Sequence, residues 1–149
     1  YTNKCCWDRD CGGETLQGML TKKTRKPRSL YWMYKAYGDL EGQTVKVVPD
    51  DTVDGVVTIQ SDPATIRCLF GRHKDSDGSV RIQFHGLGRN VRSAQVMAQR
   101  IKNSEAEAAP QPTTTFSKTL PINRGRLEVE LDDLGPYEAC SMTITFPGR

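Results

Sequence analysis

Two pairs of adjacent carboxylates, Asp50-Asp51 and Asp132-Asp133, are the side chains with the clearest potential for acid–base chemistry. Cleavage of a glycosidic bond needs two carboxyl groups, about 5 Å apart in a retaining enzyme and about 6.5–9.5 Å apart in an inverting one. Both pairs lie in turn sequences, where Asp is favoured because its side chain hydrogen-bonds the local backbone. The sequence therefore favours turns here, and we assign no catalytic residue.

Two histidines, His73 and His85, could accept and return a proton near neutral pH, as a ribonuclease requires. His85 continues the alternation of an apolar strand and is expected to face solvent, whereas His73 leads into a turn. No acid or arginine stands beside either at a recognisable spacing. A nuclease site is therefore the weaker interpretation of both residues.

Metal binding is not expected from either candidate pattern. Asp75-Ser76-Asp77-Gly78 resembles the opening of a calcium loop, but Phe84 stands where that loop needs a bidentate Glu. The cluster CCWDRDC lacks two CxxC pairs and a neighbouring histidine, so a zinc site is not expected either. We predict a hairpin turn at the first pattern, and no metal or cofactor.

Cysteine usage is typical of a secreted protein with disulfides, which gives an extracellular location as the expectation. The candidates are Cys5, Cys6, Cys11, Cys68 and Cys140. An odd number leaves at least one thiol free or bonded to a partner chain. Cys68 and Cys140 share strand faces with apolar neighbours, so both should point inward. They could form a disulfide across the core, or stay reduced as small apolar side chains.

One helix is predicted near the N-terminus of the chain, over residues 29–41. Leu30, Met33, Tyr34, Tyr37 and Leu40 recur at helical spacing, with Ser29 as the N-cap and Gly42 as the end. A helix this apolar needs a neighbour to lie against. We interpret it as a packing face or a partner interface, formed by Leu30, Tyr31, Trp32, Tyr34, Tyr37 and Leu40.

From residue 43 onward the apolar period changes to two, which predicts short strands. The alternation is clearest in VRIQFHG, RLEVELDD and CSMTITF, and further strands are expected at 44–48, 53–60, 64–71, 92–102 and 114–120. We predict a mainly β fold, an antiparallel β-sandwich of about seven to eight strands with one N-terminal helix. Residues 1–42 and 43–149 should pack together as one domain.

Charge and hydropathy exclude two classes of partner. The net charge is only +3, and the basic run at residues 22–28 is best explained as a solvated loop, so nucleic acid is not expected. No apolar run approaches the length of a membrane span. The chain starts at Tyr1 without a signal peptide, and we expect it to be a processed piece of a longer protein.

The order of these features resembles the C-terminal region of a secreted fungal protein related to glycoside hydrolase family 39. The resemblance rests on the helical pattern Trp32-Met33-Tyr34-Lys35-Ala36-Tyr37, followed by Gly42 and a β-sandwich. It implies that residues 29–41 are the last helix of a (β/α)8 barrel and residues 43–149 an accessory sandwich. The catalytic glutamates of that family would lie upstream of Tyr1, so none is carried onto this chain.

The same resemblance suggests a sugar contact at the end of the barrel. Trp7 has no assigned position in the core and could stack on a sugar face, with Asp8 and Asp10 as partners for hydroxyl groups. The alternative is that Trp7 packs over a local disulfide.

The leading functional hypothesis is a non-catalytic secreted module with a structural or weak carbohydrate-binding role. Its expected partners are the catalytic barrel polypeptide or another copy of itself, and a glycan ligand. A stand-alone lectin-like or cytotoxic secreted fungal protein is the alternative. An autonomous hydrolase, either a glycosidase or a ribonuclease, comes third.

Overall fold

The computed structural model of the chain describes residues 16, 18–61, 64–73, 76–88, 90–104 and 108–147. Within these ranges there are one α-helix and eight β-strands. They are α1 (Ser29–Gly38), β1 (Gln43–Thr44), β2 (Val53–Gln60), β3 (Thr65–Arg72), β4 (Val80–Phe84), β5 (Ser93–Ile101), β6 (Thr113–Pro121), β7 (Leu127–Leu131) and β8 (Ala139–Thr145). The prediction of a mainly β fold with one helix near the N-terminus is confirmed.

The described strands form two antiparallel sheets. The larger sheet has the order β1-β2-β3-β8-β5-β6, and the smaller one pairs β4 with β7. Most strands lie within a residue or two of the predicted positions. The exception is β1, which was expected at 44–48 but ends at Thr44. Beyond it the Val45 N–H still donates to the Val57 carbonyl at 3.0 Å, but Pro49 has no N–H to extend the pairing.

The core lies between the two sheets. Strand β7 has the burial pattern of a sheet with one face inward, since Leu127 and Val129 are fully buried and the glutamates between them are exposed. The larger sheet contributes Val96, Met142 and Ile144 to the same apolar cluster. The alternation of apolar and polar residues therefore identified the inward face correctly.

Helix α1 packs against the outer face of the larger sheet. Trp32, Met33 and Ala36 contact a second apolar cluster. Its buried members Leu69, Ile101 and Ala139 come from β3, β5 and β8. Because Leu69 alternates with the inward Cys68 and Phe70, β3 is apolar on both faces, and its outer side is what the helix covers.

The boundaries of α1 differ from the expected ones at both ends. The N-cap is Arg28, which makes no side-chain cap, and the helix ends at Gly38. The Ser29 hydroxyl instead bonds the Ser104 hydroxyl at 2.7 Å and accepts the Ser104 backbone N–H at 2.7 Å. Gly42 lies beyond the helix with a φ of +97°, where the chain turns into β1.

Candidate functional site

The outward face of α1 is the first candidate for an interaction site. Tyr34 and Tyr37, one turn apart, are 40% and 61% exposed. Beside them Lys35 and Asp39 form an exposed ion pair of 3.0 Å, which contributes little stability. This face therefore presents two large aromatic side chains to solvent.

The inward face of α1 is fixed by its own contacts. Trp32 is half-buried, and its indole N–H donates to the Ala109 carbonyl at 3.3 Å. The rings of Trp32 and Tyr31 form a T-shaped pair with their centroids 5.0 Å apart. Leu40, just beyond the helix, packs on the same cluster. The six residues predicted as one surface thus divide: Trp32 and Leu40 face the sandwich, Tyr34 and Tyr37 face solvent, and Leu30 and Tyr31 are half-buried between them.

A tight turn precedes the helix and displays the basic run. The Thr21 N–H donates to the Lys26 carbonyl at 2.9 Å, and Leu20 pairs with Pro27, so that residues 22–26 project into solvent. This agrees with a solvated basic loop, except at Arg28. That side chain is only 6% exposed and belongs to the junction between turn and helix.

The proposed sugar-contact residues lie outside the described residues. These are Trp7, Asp8 and Asp10, and the same holds for the candidate disulfide residues Cys5, Cys6 and Cys11. The interpretations of this segment therefore stay predictions.

Asp50 is committed to a turn rather than to catalysis. One of its carboxylate oxygens accepts the backbone N–H groups of Thr52 at 2.6 Å and Val53 at 2.7 Å, and the Thr52 hydroxyl at 2.9 Å. The backbone hydrogen bonds from Thr52 and Val53 hold the pKa of this carboxyl below its usual value. A group that stays ionised in this way is unsuited to act as a general acid. The turn interpretation is confirmed for Asp50.

The second acidic pair also belongs to a turn. Asp133 has a φ of +51°, a conformation that Asp tolerates better than most residues. The Asp132 carbonyl accepts a hydrogen bond from the Arg100 guanidinium at 2.6 Å, and Arg100 also lies 3.6 Å from Glu138. Arg100 therefore ties this turn to β5.

Among the described residues, no hydrogen bond or ion pair joins either histidine side chain to an acid. Both His73 and His85 are exposed, and His85 lies just past the end of β4 instead of on the strand.

The loop that resembles a calcium site is organised by Arg72. Its guanidinium donates to the Ser76 hydroxyl at 3.1 Å and to the Gly78 carbonyl at 3.2 Å. Over the described ranges, no three His, Cys, Asp or Glu side chains converge as metal ligands would.

Cys68 and Cys140 are free, buried thiols. They point into the core as expected, but they lie on the neighbouring strands β3 and β8 of one sheet and not across it, because Phe70 pairs with Cys140 and Cys68 with Met142. Burial, with the neighbouring Cys140, raises the pKa of the Cys68 thiol to about 12. Burial likewise raises the pKa of Cys140 to about 12. Neither thiol is suited to act as a nucleophile.

An apolar cleft that the sequence did not suggest opens between β2 and β4. It has a volume of about 620 Å³. Val53, Val57 and Ile59 of β2 form one wall and Ile82 and Phe84 of β4 the other. The alternation in β2 predicted an inward face, but it could not show that the described strands cover this face only in part.

In the part of the chain that the structure describes, no helix has the length and apolar character needed to cross a membrane.

The class of protein that the fold defines is an antiparallel β-sandwich with a helix packed on its larger sheet. No family model matches the sequence. Two curated enzymes are similar to it in part. A 3-O-alpha-D-galactosyl-alpha-L-arabinofuranosidase of Bifidobacterium longum subsp. longum is 29% identical over 131 residues, which covers 77% of this chain and 11% of the enzyme. A 3-O-beta-L-arabinopyranosyl-alpha-L-arabinofuranosidase of Bifidobacterium pseudocatenulatum is 27% identical over 135 residues, which covers 77% of this chain and 14% of the enzyme.

Two solved structures share the fold of the chain. The protein N2152 from Neocallimastix frontalis is 26% identical with a TM-score of 0.77, covering 88% of this chain and 33% of that one. The family 30 subfamily 8 xylanase Xyn30A from Clostridium acetobutylicum has a TM-score of 0.58 at 10% identity, a likeness of fold alone, over 97% and 38% of the two chains. The chain thus has glycoside hydrolase-like relatives, and it spans only 11% and 14% of the length of the two curated ones.

Proposed function

We propose that the chain is a non-catalytic β-sandwich module of a larger secreted glycoside hydrolase, in which α1 joins the sandwich to the catalytic domain. One observation carries this proposal. The helix packs the half-buried Trp32 and Met33 against the sheet, while Tyr34 and Tyr37 are exposed to solvent. Tyrosine is enriched at protein interfaces because it combines a large apolar area with a polar end.

The comparisons support a role within a longer enzyme. The similarity to two arabinofuranosidases covers most of this chain but a small share of each enzyme. Asp50, whose carboxylate accepts three hydrogen bonds from Thr52 and Val53, is engaged in its own turn. We therefore place catalysis in the remainder of the polypeptide. The finer assignment, to a fungal protein of the family 39 type, rests on the Trp32–Tyr37 pattern and is part of this proposal.

The test compares the natural polypeptide with the isolated 149-residue chain. The double variant Tyr34→Ala/Tyr37→Ala should separate the unfolding of the sandwich from that of the catalytic domain, seen by calorimetry as two transitions in place of one. In the isolated chain the same variant should change the free energy of unfolding by only about 0.5 kcal/mol, because both side chains are exposed there.

The matched control is Gln83→Ala/Glu128→Ala, a hydrogen-bonded pair at 2.8 Å on the exposed face of the smaller sheet. It should leave the coupled transition intact. A tyrosine variant that unfolds with the same single transition as the unmodified protein would contradict the proposal, as would a natural polypeptide without a catalytic domain.

A weak carbohydrate contact is the second candidate function, because both curated relatives are named for hydrolysis at arabinofuranose. Trp7, with Asp8 and Asp10, would provide it. Titration calorimetry with oligosaccharides that contain arabinofuranosyl residues should give a heat of binding that Trp7→Ala removes and Trp7→Phe partly retains. Equal binding by the Trp7→Ala variant would exclude this residue as the contact.

A further inference from the structure

The two layers of the sandwich are unequal in the described structure. The larger sheet has six strands and the smaller one two. The consequence is visible where β2 and β3 lie side by side. Ile59 of β2 pairs in register with Ile66 of β3, and both side chains point to the same inner face. Ile66 is 3% exposed, whereas Ile59 is 40% exposed. The inner face of β2 therefore extends beyond the layer that covers β3.

The neighbouring edge of the smaller sheet is free. Strand β4 pairs with β7 through five consecutive residue pairs without a register shift, and among the described strands it has no partner on its other side. An edge strand of this kind presents unpaired N–H and C=O groups that readily pair with another extended segment. This edge borders the apolar cleft.

Two other edges of the sandwich, those of β6 and β1, carry features that hinder such pairing. The outer edge of β7 also has no partner among the described strands, but β7 contributes no residue to the cleft. In β6 the register shifts opposite Ala98 and Gln99, and the strand contains Lys118 and ends at Pro121. At the opposite edge β1 has only two residues and is followed by Pro49. Bulges, lysines, prolines and short length are the devices by which proteins block sheet edges. The described part of β4 has no proline and no bulge.

We propose that β4 pairs along its free edge with an extended strand from a part of the same polypeptide outside these 149 residues, and that this strand fills the cleft. The inference rests on the proposed function, since it requires a longer polypeptide. The rest of such a polypeptide is long enough to supply this strand, because the chain spans only 11% and 14% of the length of its curated relatives.

The cleft defines the chemistry of the incoming strand. A segment as long as β4 would extend about 17 Å. Alternate side chains of a strand point to opposite faces, so every second residue would contact Val57 and Ile59 and should be apolar. The residues between them would continue the exposed face that carries Arg81 and Gln83 and should be polar. Proline is excluded at the positions that donate to β4.

The test uses two substitutions of matched exposure. Ile59 is 40% exposed in the cleft, and Met97, on the outer face of the same sheet, is 42% exposed. In the isolated chain, Ile59→Asp and Met97→Asp should lower the melting temperature by similar small amounts. In the natural polypeptide, Ile59→Asp should lower the melting temperature of the sandwich by about 10 °C more than Met97→Asp, because the strand would bury the carboxylate.

Hydrogen exchange gives a second measurement that needs no variant. Backbone amides of β4 should exchange at least about 10-fold more slowly in the natural polypeptide than in the isolated chain, since an amide hydrogen-bonded to a new strand is protected. Amides of β6 serve as the control and should exchange at similar rates in both proteins.

Two results would overturn this inference. The first is an Ile59→Asp variant that behaves like Met97→Asp in the natural polypeptide, with unchanged exchange in β4. The second is an isolated chain that dimerises in sedimentation experiments and becomes monomeric on Ile59→Asp, which would identify a second copy as the occupant. The tyrosine variant of α1 tests the proposed function separately, so either proposal can fail while the other holds.

Discussion

Two parts of the larger sheet, called the closed half and the open half, differ in what lies opposite them; the edge strand β6 belongs to neither. In the closed half, formed by β3, β8 and β5, the inward residues Val96 and Ile144 are fully buried beneath the smaller sheet. In the open half, formed by β1, β2 and residues 45–49, Ile59 is 40% exposed and Val48 is 81% exposed. Alternation of apolar and polar residues is present in both halves. Burial is therefore decided by the opposing layer and not by the pattern of the strand itself.

The largest expected effect tests this contrast directly. Leu127 of β7 is fully buried under the closed half, so Leu127→Ala should lower the free energy of unfolding by about 2–5 kcal/mol, through lost burial and a residual cavity. Ile59→Ala, in the isolated chain, should cost about 1 kcal/mol because its side chain is already partly hydrated. Urea unfolding of both variants measures the difference. Equal costs would mean that the open half is as well packed as the closed one.

Two glycines, at the end of the helix and just before β1, differ in the space available for a side chain, and only Gly42 contacts the open half. Gly42 has a φ of +97°, and a side chain there would run into the Ile59 carbonyl, so Gly42→Ala should cost about 1–3 kcal/mol. Gly38 ends the helix with no atom within 4 Å of an added methyl group, and Gly38→Ala should stabilise by about 0.5–1 kcal/mol. Thermal unfolding of both variants provides the measurement. A neutral Gly42→Ala would show that the entry into β1 adapts easily.

A pH-dependent effect concerns the thiols of the closed half. The pKa values of Cys68 and Cys140 are raised by burial to about 12, from a usual value of 9.0. Because the folded pKa lies above the unfolded one, the folded protein binds more protons, and stability should fall as the pH rises from about 9 towards 12. Urea unfolding at several pH values in this range measures the slope.

The double variant Cys68→Ala/Cys140→Ala should reduce that slope, although its stability at pH 7 will be lower. An Ile59→Cys thiol in the open half, which is partly hydrated, should add little to it. A slope that is unchanged in the double variant would show that other groups cause the alkaline dependence.

Local pattern was sufficient to predict most of the fold. The two-residue alternation in CSMTITF and RLEVELDD placed β8 and β7 within two residues of their observed bounds, since each strand buries one face. The orientation of α1 was less predictable. Tyr34 and Tyr37 have helical spacing, but so have Trp32 and Ala36, and only the outer face of the larger sheet decides which pair packs against it.

The open cleft could not be predicted from sequence for a different reason. It arises because β4 and β7 are fewer than the strands they face, and the order of strands in a sheet depends on pairings between distant residues. Gln43 pairs with Ile59, and Phe84 with Leu127. A pattern within one segment has no information about such partners. The Asp50 turn, in contrast, is made by neighbours two and three residues away and was predictable.

The hydrogen bonds between Ser29 and Ser104 have a consequence for how this unit can be inherited. They join the start of α1 to Ser104, three residues after the end of β5 and 75 residues along the chain from Ser29. In the same region the Ala109 N–H donates to the Pro27 carbonyl at 2.8 Å. The helix is thus fastened to the loop between β5 and β6 as well as to the sheet. A recombination event that transferred only the strands would break these bonds and uncover Leu69 and Ile101. The helix and the sandwich should therefore move between proteins together, as one evolutionary cassette.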